Sequence, residues 1–600
     1  MVEERLSKLR KLMEEKGLQA YIVCTDDFHG SEYVGEYFKA RAYMTGFTGS
    51  AGVLVVLEKE AALWTDGRYF LQAEKQLEGK DITLMKMGET EVPTIGEYLQ
   101  EKLSERSVIG FDGRTVTSAF IEKIRSSLGE KRIYFMWDID LVGEIWTDRP
   151  SLSKESVWEL AVEYAGMSRK DKLSVVRKMV EEAEADLFVL TSLDDIAWLL
   201  NLRGNDVACN PVFLSYMCIE KNHAVLYCQP GAIGADITGT LEADGVMLRE
   251  YGAIYEDLKC MDEEKTVLID TAKANYMLQK CIPEGVHLID KTSPVMLLKA
   301  VKNETECKHI RKAHIKDGVA VTRFMYWIKN AVKTEQITEI GAAQKLEELR
   351  QEQEGYLGPS FEPIMAYGAH GAIVHYSATE ESNATLKPEG LFLSDTGGQY
   401  MEGTTDITRT YALGKLTEEE KRDYTLVLKG NLNLAAAKFL YGVKGVNLDY
   451  LARSPLWEYG LDYNHGTGHG VGYLLNVHEG PNAFRWKILP KEEENAVLTE
   501  GMVTSDEPGV YIAGRFGIRL ENLILCQKAE QTEYGQFMCF ETLTMVPFDL
   551  DAVDVKYLND RDIELLNAYH ARVYEMISPY LAGDELTWLF YATRKIAKDK

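Results

Sequence analysis

The sequence predicts an α/β fold that opens with two related domains, and three observations support this. Amphipathic helical patterns alternate with short apolar runs through the first half of the chain, which is the order of elements in α/β domains. The pattern LxxLRKLxEE at 6–15 returns as LxxVRKMxEE at 173–182, and an apolar run follows each copy. Proline and serine interrupt the periodic segments at 147–153 and 292–294, where linkers are expected.

The elements of the first domain follow from its periodicity. Leu6, Leu9, Leu12 and Met13 recur at helical spacing, which predicts an amphipathic helix. The apolar run at 20–24 predicts a buried strand, and a glycine-rich turn at 46–52 leads into another strand at 53–57. The segment 61–68 and a helix follow. In the second copy the strand is expected at 185–190. Because amphipathic helices before strands often look alike, chance similarity stands beside duplication as an explanation of the repeat.

The region after the second linker changes character. It begins with a helical pattern, and the stretch Thr417-Glu-Glu-Glu has the form of a capping box before a long helix. The tail from about 547 to 600 predicts one more helix, at 560–577, which Ser578-Pro579 ends. The linkers divide the chain into three domains at residues 1–150, 151–300 and 301–600, the last with a C-terminal extension at about 547–600.

Composition excludes several classes of function. The 600 residues carry a net charge of −27, which argues against nucleic acid or an anionic membrane as a partner. No apolar run approaches the ~18 residues that span a bilayer, and the start shows no secretory signal. The nine cysteines are scattered, as expected for free thiols in a reducing cytoplasm. We therefore expect a cytoplasmic protein.

Two aspartates mark the first candidate for chemistry. Asp395 and Asp406 lie on strand-like segments eleven residues apart, and Gly397, Gly398 and Gly403 between them allow sharp turns. Alternation along the strands places each aspartate on one face, so a hairpin brings the two together. Two solvated acids at strand ends are the alternative from this hairpin alone.

Three further residues favour a shared site over two solvated acids. His469, Glu507 and Glu521 follow in the distinctive contexts HGTGHGVG, TSDEPGVY and FGIRLEN. Four carboxylates and one imidazole at one point repel one another unless cations lie between them. Two divalent metals cancel four negative charges, so the set predicts a two-metal hydrolytic site.

The histidine-rich segments predict the rest of the pocket. His465 and His469 have the i, i+4 spacing of a helical metal pair, but the glycines among them predict a loop instead. We assign His469 as the ligand and expect His465 and His478 to line the pocket. Arg519 lies two residues before Glu521, so both are expected on one face of a strand, with the guanidinium beside a bridging carboxylate. An ordinary cross-strand ion pair is the alternative for Arg519. Glu507 is expected at a turn.

Asp395, Asp406, His469, Glu507 and Glu521 match in order and local context the five metal ligands of the aminopeptidase P/prolidase/methionine aminopeptidase superfamily. The chain resembles most the three-domain cytosolic Xaa-Pro aminopeptidases, and the resemblance covers nearly all of it. Further segments that carry the resemblance are WTDGRYFLQA (64–73), LDDIAWLLNLRG (193–204), RKAHIKDGVA (311–320), GAIVHY (371–376) and FETLTMVP (540–547). It implies two related N-terminal α/β domains followed by a C-terminal α+β catalytic domain of the pita-bread (creatinase/methionine aminopeptidase-like) fold.

The resemblance also implies a role for each residue. Asp395 chelates one metal, His469 and Glu507 the other, and Asp406 and Glu521 bridge them, with a bridging hydroxide as nucleophile. The family's usual metal is Mn²⁺. The resemblance of the chain to this family also suggests a homodimer. The residues implied to surround the substrate or take part in catalysis are His375, His465, His478, Glu507, Arg519 and, from the first domain, Arg68. The segment at 361–370 departs from the family pattern, and His370 is unexpected there.

The function expected from these features is a dinuclear metal aminopeptidase that removes the N-terminal residue of peptides with proline in second position. Glu507 can shuttle a proton to the leaving nitrogen, and histidines can donate to the developing oxyanion. A dipeptide-only prolidase is the nearest alternative. A non-catalytic peptide-binding module on the same fold is another, although such a module is expected to have lost ligands.

Overall fold

The computed structural model describes residues 2–488 and 495–598. The chain divides into two compact units, Met1–Val162 with Met167–Val295, and Glu163–Gly166 with Met296–Lys600. Among the described residues no helix is both long and apolar enough to cross a lipid bilayer.

The first unit contains two mixed β-sheets built on the same plan. The first sheet has the order β4-β3-β2-β1-β5-β6 and consists of β1 (Ala20–Cys24), β2 (Val53–Leu57), β3 (Ala61–Thr65), β4 (Thr83–Lys86), β5 (Val108–Phe111) and β6 (Tyr134–Met136). The second has the order β12-β11-β10-β8-β13-β14 and consists of β8 (Leu187–Leu190), β10 (Ser215–Glu220), β11 (Ala224–Cys228), β12 (Val246–Glu250), β13 (Thr266–Ile269) and β14 (His287–Asp290). Strands β7 (Trp158–Glu159) and β9 (Leu202–Arg203) pair separately.

The two sheets agree in strand direction as well as in order. In each, the central strand pairs antiparallel with one neighbour and parallel with the other, and both edge strands pair parallel. The repeated helix buries equivalent positions, Leu6 and Leu9 in the first copy and Leu173 and Val176 in the second. The predicted duplication is confirmed, because chance similarity of one helix does not reproduce a whole sheet topology.

Helices flank these sheets. They are α1 (Val2–Lys16), α2 (Ala40–Thr45), α3 (Phe70–Leu77), α4 (Ile95–Lys102), α5 (Ser118–Ser127), α6 (Leu141–Ile145), α8 (Arg169–Glu182), α9 (Leu193–Leu200), α10 (Ala235–Ala243), α11 (Ala253–Lys259) and α12 (Tyr276–Cys281). Two further helices, α7 (Val162–Ala165) and α13 (Pro294–Ala300), span the boundaries between the two units in the chain. Buried side chains of α1, β1, β2 and β3 form one apolar core on the first sheet.

The second unit is mostly antiparallel. Two three-stranded sheets have the orders β15 (Tyr356–Pro359)-β18 (Gly398–Tyr400)-β19 (Gly403–Thr404) and β16 (Ile364–Tyr367)-β17 (Leu391–Thr396)-β20 (Ile407–Ala412). A larger sheet has the order β21 (Lys438–Leu440)-β28 (Gly535–Thr542)-β27 (Asn522–Thr532)-β24 (Val503–Asp506)-β22 (Gly468–Gly470)-β23 (Glu479–Phe484), and β25 (Gly509–Ile512) pairs with β26 (Phe516–Arg519). The helices are α14 (Glu304–Ala331), α15 (Glu339–Gln351), α16 (Glu418–Ala435), α17 (Gly445–Trp457), α18 (Asp560–Ile577) and α19 (Gly583–Ala592).

Local sequence signals correctly predict several boundaries of this unit. The capping box at Thr417 and Glu420 is present at the start of α16. The predicted tail helix is α18, with the predicted bounds. The prediction of a single helix in the tail is wrong, however, because α19 follows it. Its short amphipathic pattern buries Leu589 while Phe590 and Tyr591 stay exposed, so periodicity over ten residues gave a weak signal.

A buried ion pair joins the first two helices of the unit to the strands that lead to the aspartates. Asp317 on α14 accepts bonds from Arg350 Nε on α15 at 2.8 Å and from the Tyr400 hydroxyl at 2.9 Å. Arg350 Nη2 also donates to the Thr396 hydroxyl at 3.0 Å, next to Asp395. Both partners of the pair are less than 5% exposed.

We expect Asp317→Ala to lower the free energy of unfolding by ~3–5 kcal/mol, because it leaves the Arg350 guanidinium buried without its counter-charge. Glu348→Ala on α15, the helix of Arg350, is the control, since Glu348 pairs with Lys345 at the surface and such pairs contribute ~0–1 kcal/mol. Denaturant unfolding of both variants measures the difference. Equal midpoints for the two contradict this role for the pair.

Candidate metal centre

The two aspartates are brought together by a hairpin-like pair of strands, as predicted. Asp395 lies near the end of β17 and is paired with Thr408 of β20, while Asp406 directly precedes β20. Strands β18 and β19 form the turn between them. Asp395 is 7% exposed and Asp406 4%, so the alternative of two solvated acids is wrong.

The histidine motif differs from the loop that its glycines predict. His469 lies in the short strand β22, between the neighbours β23 and β24. A Cβ on Gly468 would lie 1.8 Å from the Ser505 carbonyl oxygen, and one on Gly470 would lie 2.3 Å from that of Glu479. The glycines are therefore required by the close approach of neighbouring strands rather than by a flexible loop.

The other two carboxylates come from connections between strands. Glu507 follows β24 in the short connection to β25, where we expected a turn, and its backbone N–H donates to the Thr467 carbonyl at 2.8 Å. Glu521 lies between β26 and β27. The prediction that Arg519 and Glu521 share one strand is wrong in this detail, because β26 ends at Arg519, but both side chains still reach the same site.

Ligand atoms of Asp406, His469 and Glu521 lie within 4.8 Å of one another. His469 Nε2 is 3.5 Å from Asp406 Oδ2 and 3.3 Å from Glu507 Oε1. Asp395 Oδ2 accepts bonds from Arg519 Nη2 at 2.5 Å and Nε at 3.1 Å. The five predicted ligands therefore converge on one buried position.

Two carboxylate oxygens at this position are suited to a divalent cation. Asp395 Oδ1 and Glu521 Oε1 are buried and have no hydrogen-bond partner among residues 2–488 and 495–598. The other oxygen of each is engaged, by Arg519 and by the Thr408 hydroxyl at 2.8 Å respectively. Buried carboxylate oxygens without donors are costly, whereas an oxygen-rich set with one imidazole suits divalent metals. The residues thus fit metal ions.

Electrostatics without metals is unfavourable at this position. Burial, followed by the charges of Asp395 and Glu507, raises the pKa of Asp406 well above its usual value. Burial, followed by Asp406 and Glu507, does the same to the pKa of Glu521. Burial raises the pKa of Glu507 to about 7, against the lowering effect of Arg519. The carboxylates are ionised together only if positive charge is added between them.

The predicted pocket residues surround Arg519 and His469. His465 Nε2 lies 2.8 Å from the Tyr511 hydroxyl, which accepts a bond from Arg519 Nη1 at 2.8 Å. The rings of His478 and His469 meet edge to face, with centroids 4.4 Å apart. Arg519 Nη2 reaches the carbonyl oxygen of Val374, the residue before His375, at 3.3 Å. Tyr511 was missed by sequence reasoning; its spacing of four residues from Glu507 was the only signal.

A buried ion pair supports the segment that carries His465. Arg453 on α17 is bonded to Asp449 Oδ2 at 2.8 Å and donates to the His465 carbonyl at 2.7 Å. Asp449 Oδ1 accepts the Thr467 hydroxyl at 2.6 Å, and Thr467 in turn holds the backbone of Glu507. Sequence reasoning also missed this pair, because its partners become neighbours of the site only in the folded chain.

Arg68 belongs to the first unit. Its guanidinium donates to Asp66 Oδ1 and Oδ2 at 2.9 Å each and to Glu32 Oε1 at 3.2 Å. These hydrogen bonds hold the Arg68 side chain within its own unit. Its contact with substrate stays a prediction.

Comparison with known proteins gives matches along nearly the whole chain. Residues 308–528 match the model of metallopeptidase family M24, and 536–596 match the C-terminal region of that peptidase family. Residues 5–136 and 148–306 each match a creatinase/prolidase N-terminal domain. These four segments coincide with the two related sheets and with the second unit.

Individual relatives match over most or all of their length. A protein of Paracoccidioides brasiliensis described as a probable Xaa-Pro aminopeptidase P is 39% identical, over 99% of this chain and 99% of the relative. Aminopeptidase P2 of Arabidopsis thaliana is 37% identical, over 100% of this chain and 89% of the relative. The crystal structure of an X-prolyl aminopeptidase from Caenorhabditis elegans, described as a cytosolic enzyme with a di-nuclear active site, is 35% identical with a TM-score of 0.95, over 99% of this chain and 100% of that one.

Metal removal is expected to make stability depend on pH in an unusual direction. Glu507 has a folded pKa of about 7 against 4.5 in the unfolded chain, so between these values the folded protein holds a proton that the unfolded chain releases. The free energy of unfolding of the metal-free protein then falls as pH rises from 4.5 through about 7, and Asp406 and Glu521 extend the fall upward. Bound metal is expected to remove this decrease in the free energy of unfolding.

Thermal midpoints of EDTA-treated and Mn²⁺-loaded protein between pH 5 and 8 measure the effect. The gap between the two is expected to widen with pH. The variant Asp406→Asn/Glu521→Gln is the control, since two of the titrating groups are gone and the EDTA-treated curve flattens. A gap that stays constant over this range contradicts the electrostatic account.

Proposed function

The chain belongs to the Xaa-Pro aminopeptidases P of metallopeptidase family M24, and from this membership we propose that it removes the N-terminal residue of peptides whose second residue is proline. It is a metal-dependent hydrolase. The observation that carries the proposal is the convergence of Asp406, His469 and Glu521 with the Asp395–Arg519 pair in one buried site. The non-catalytic alternative is disfavoured, because such a module is expected to have lost ligands.

We propose the division of ligands that the family resemblance implies. Asp395 would hold one metal, His469 and Glu507 would hold the other, and Asp406 and Glu521 would serve both. The chemistry that two bound divalent ions, Mn²⁺ in our proposal, would supply is a lower pKa for an attacking water and polarisation of the scissile carbonyl. The oxygen-rich ligand set supports a hard ion such as Mn²⁺.

The side chains of the protein supply the remaining steps. Glu507, which accepts a bond from the Ser505 hydroxyl at 3.0 Å, is placed to carry a proton to the leaving imide nitrogen. His375 and His478 donate to the oxyanion that develops on the carbonyl. Arg519 fixes Asp395 through two bonds and, with Tyr511 and His465, forms a polar wall for the peptide. An Xaa-Pro bond has no N–H, and hydrolysis by these groups does not require one.

A substrate comparison tests the proposed function. The Mn²⁺-loaded protein is expected to cleave Xaa-Pro-Yaa tripeptides and to leave Xaa-Ala-Yaa tripeptides and Xaa-Pro dipeptides largely intact. Cleavage of the dipeptides alone identifies a prolidase instead. Absence of turnover on all three, at full metal loading, contradicts an enzymatic function.

We also propose the organisation that the sequence predicted. The domains are 1–150, 151–300 and 301–600, the last with an extension from about 547, and the two similar sheets and the separate family matches support this. A cytoplasmic location is supported by the description of the C. elegans relative as a cytosolic enzyme. A homodimer rests on the family resemblance, and light scattering measures it.

His469 and His478 are expected to have different roles, so their alanine variants are expected to lose different properties. His469→Ala removes an imidazole whose Nε2 lies 3.5 Å from Asp406 Oδ2 and 3.3 Å from Glu507 Oε1, so it is expected to lower metal affinity. His478→Ala is expected to keep the metals and lose ~10²–10³ in kcat, the typical contribution of an oxyanion donor. Metal content by elemental analysis and kcat at saturating Mn²⁺ separate the two effects. Near-normal turnover of His478→Ala removes it from catalysis.

Arg68 is expected to contact the peptide beyond its first residues. Arg68→Ala should raise KM for tripeptides and longer peptides with metal content unchanged. Arg114→Ala is a matched control, because Arg114 donates to both oxygens of Asp112 in a second Asp-Gly-Arg sequence of the same unit. Equal kinetics of Arg68→Ala and the parent on a pentapeptide assign Arg68 to structure instead.

A further inference from the structure

Glu339 is a buried carboxylate that is not among the proposed metal ligands, and it binds the segment that carries His375. Between β16 and β17 the chain forms a 3₁₀ turn (Gly368–Ala372) and then continues through turns and bends to Leu391. His375 lies in this irregular part. Loops without a hydrogen-bonded ladder need other contacts to fix a side chain.

Glu339 supplies four such contacts. It is the first residue of α15 and 0% exposed. Its Oε1 accepts the Tyr367 N–H and His370 Nδ1, each at 2.8 Å. Its Oε2 accepts the Tyr376 hydroxyl at 2.8 Å and the Ala384 N–H at 2.9 Å. One carboxylate thus binds two residues before His375 and two residues after it.

The unexpected His370 is part of this arrangement. Its ring stacks on that of Tyr376, with centroids 4.4 Å apart and an interplanar angle of 23°. The His370 ring nitrogen and the Tyr376 hydroxyl both donate to Glu339. The ring stacking and the two hydrogen bonds therefore restrain the same two side chains. The departure from the family pattern at 361–370 therefore concerns the support of the segment.

On its other side the segment rests on the strand that carries Arg519. A Cβ on Gly517 would lie 1.7 Å from the carbonyl oxygen of Gly371, so the two backbones touch. The Val374 carbonyl accepts Arg519 Nη2 at 3.3 Å. His375 consequently lies between one residue fixed to the metal site and another, Tyr376, fixed to Glu339.

We propose that Glu339 is a positioning residue for His375, acting through Tyr367, His370, Tyr376 and Ala384. The inference rests on the proposed function, in which His375 lies in the substrate pocket. A carboxylate is required because each of its oxygens accepts two bonds, whereas a glutamine amide nitrogen can accept none. The start of a helix favours a negative charge there.

Glu339→Gln is the direct test. It keeps the shape of the side chain but turns an NH₂ group toward two of the four donors. We expect kcat to fall ~10-fold to 100-fold, the range that a displacement of about 1 Å produces, while KM and Mn²⁺ content change little. Tyr376→Phe removes one donor with little change in shape and is expected to cause a smaller fall in kcat, which keeps the test valid if Glu339→Gln folds poorly.

Matched controls come from the same helix. Glu347 on α15 accepts the Tyr356 hydroxyl at 2.6 Å and binds no part of the 368–384 segment in the described chain. Glu347→Gln and Tyr356→Phe therefore repeat both changes at a second Glu–Tyr hydrogen bond of the same helix, and we expect kcat to be unchanged. Thermal midpoints of all variants report on stability separately.

A double-mutant cycle with His375→Ala decides between positioning and general structure. If Glu339 acts through His375, the double variant Glu339→Gln/His375→Ala has the kcat of His375→Ala alone. Multiplied effects, or an unchanged kcat in Glu339→Gln beside a reduced kcat in His375→Ala, overturn the inference and leave the proposed function intact. An unchanged kcat in His375→Ala removes the catalytic role of His375, and the inference fails with it.

Discussion

Repulsion among four buried carboxylates is the constraint on which the second unit depends. Asp395, Asp406, Glu507 and Glu521 are brought to one position by separate strands and connections, and burial raises the pKa of three of them. Such a site is stable only when positive charge lies inside it. The orphaned oxygens of Asp395 and Glu521 show where that charge is needed, and the di-nuclear centre of the C. elegans relative has the matching description.

The surrounding structure holds the carboxylates in place against this repulsion. Arg519 pairs with Asp395, and Arg453 with Asp449 supports the backbone that binds Glu507. Arg409 is buried beside the site and donates to the carbonyl of Glu521. The same guanidinium donates to the Tyr569 hydroxyl at 3.0 Å, so helix α18 is bonded to the residue that fixes a proposed metal ligand. The proposed C-terminal extension therefore supports the candidate metal centre.

Sequence reasoning succeeded where a signal is local or where a motif is long. The capping box of α16 and the bounds of α18 follow from residues within one or two turns. The hairpin of Asp395 and Asp406 follows from alternation and glycine placement. The order of the five ligands identified the family and, through it, the whole architecture.

It failed where a residue's surroundings come from distant parts of the chain. Three glycines around His469 predict a loop, yet they permit strands to approach within contact of Ser505 and Glu479. Nothing local to Glu339 indicates that four donors from a segment about thirty to forty-five residues away converge on it. Tyr511 and Arg453 likewise acquire their partners only through tertiary contacts, which periodicity does not report.

The number of metal ions bound per chain tests the central claim most directly. Metal-free protein is titrated with Mn²⁺, and bound metal and Xaa-Pro-Yaa hydrolysis are followed together. Charge balance predicts two equivalents per chain, with full activity only when the second is bound. Saturation at one equivalent with full activity would contradict the account, because a single divalent ion leaves a net charge of −2 among four buried carboxylates.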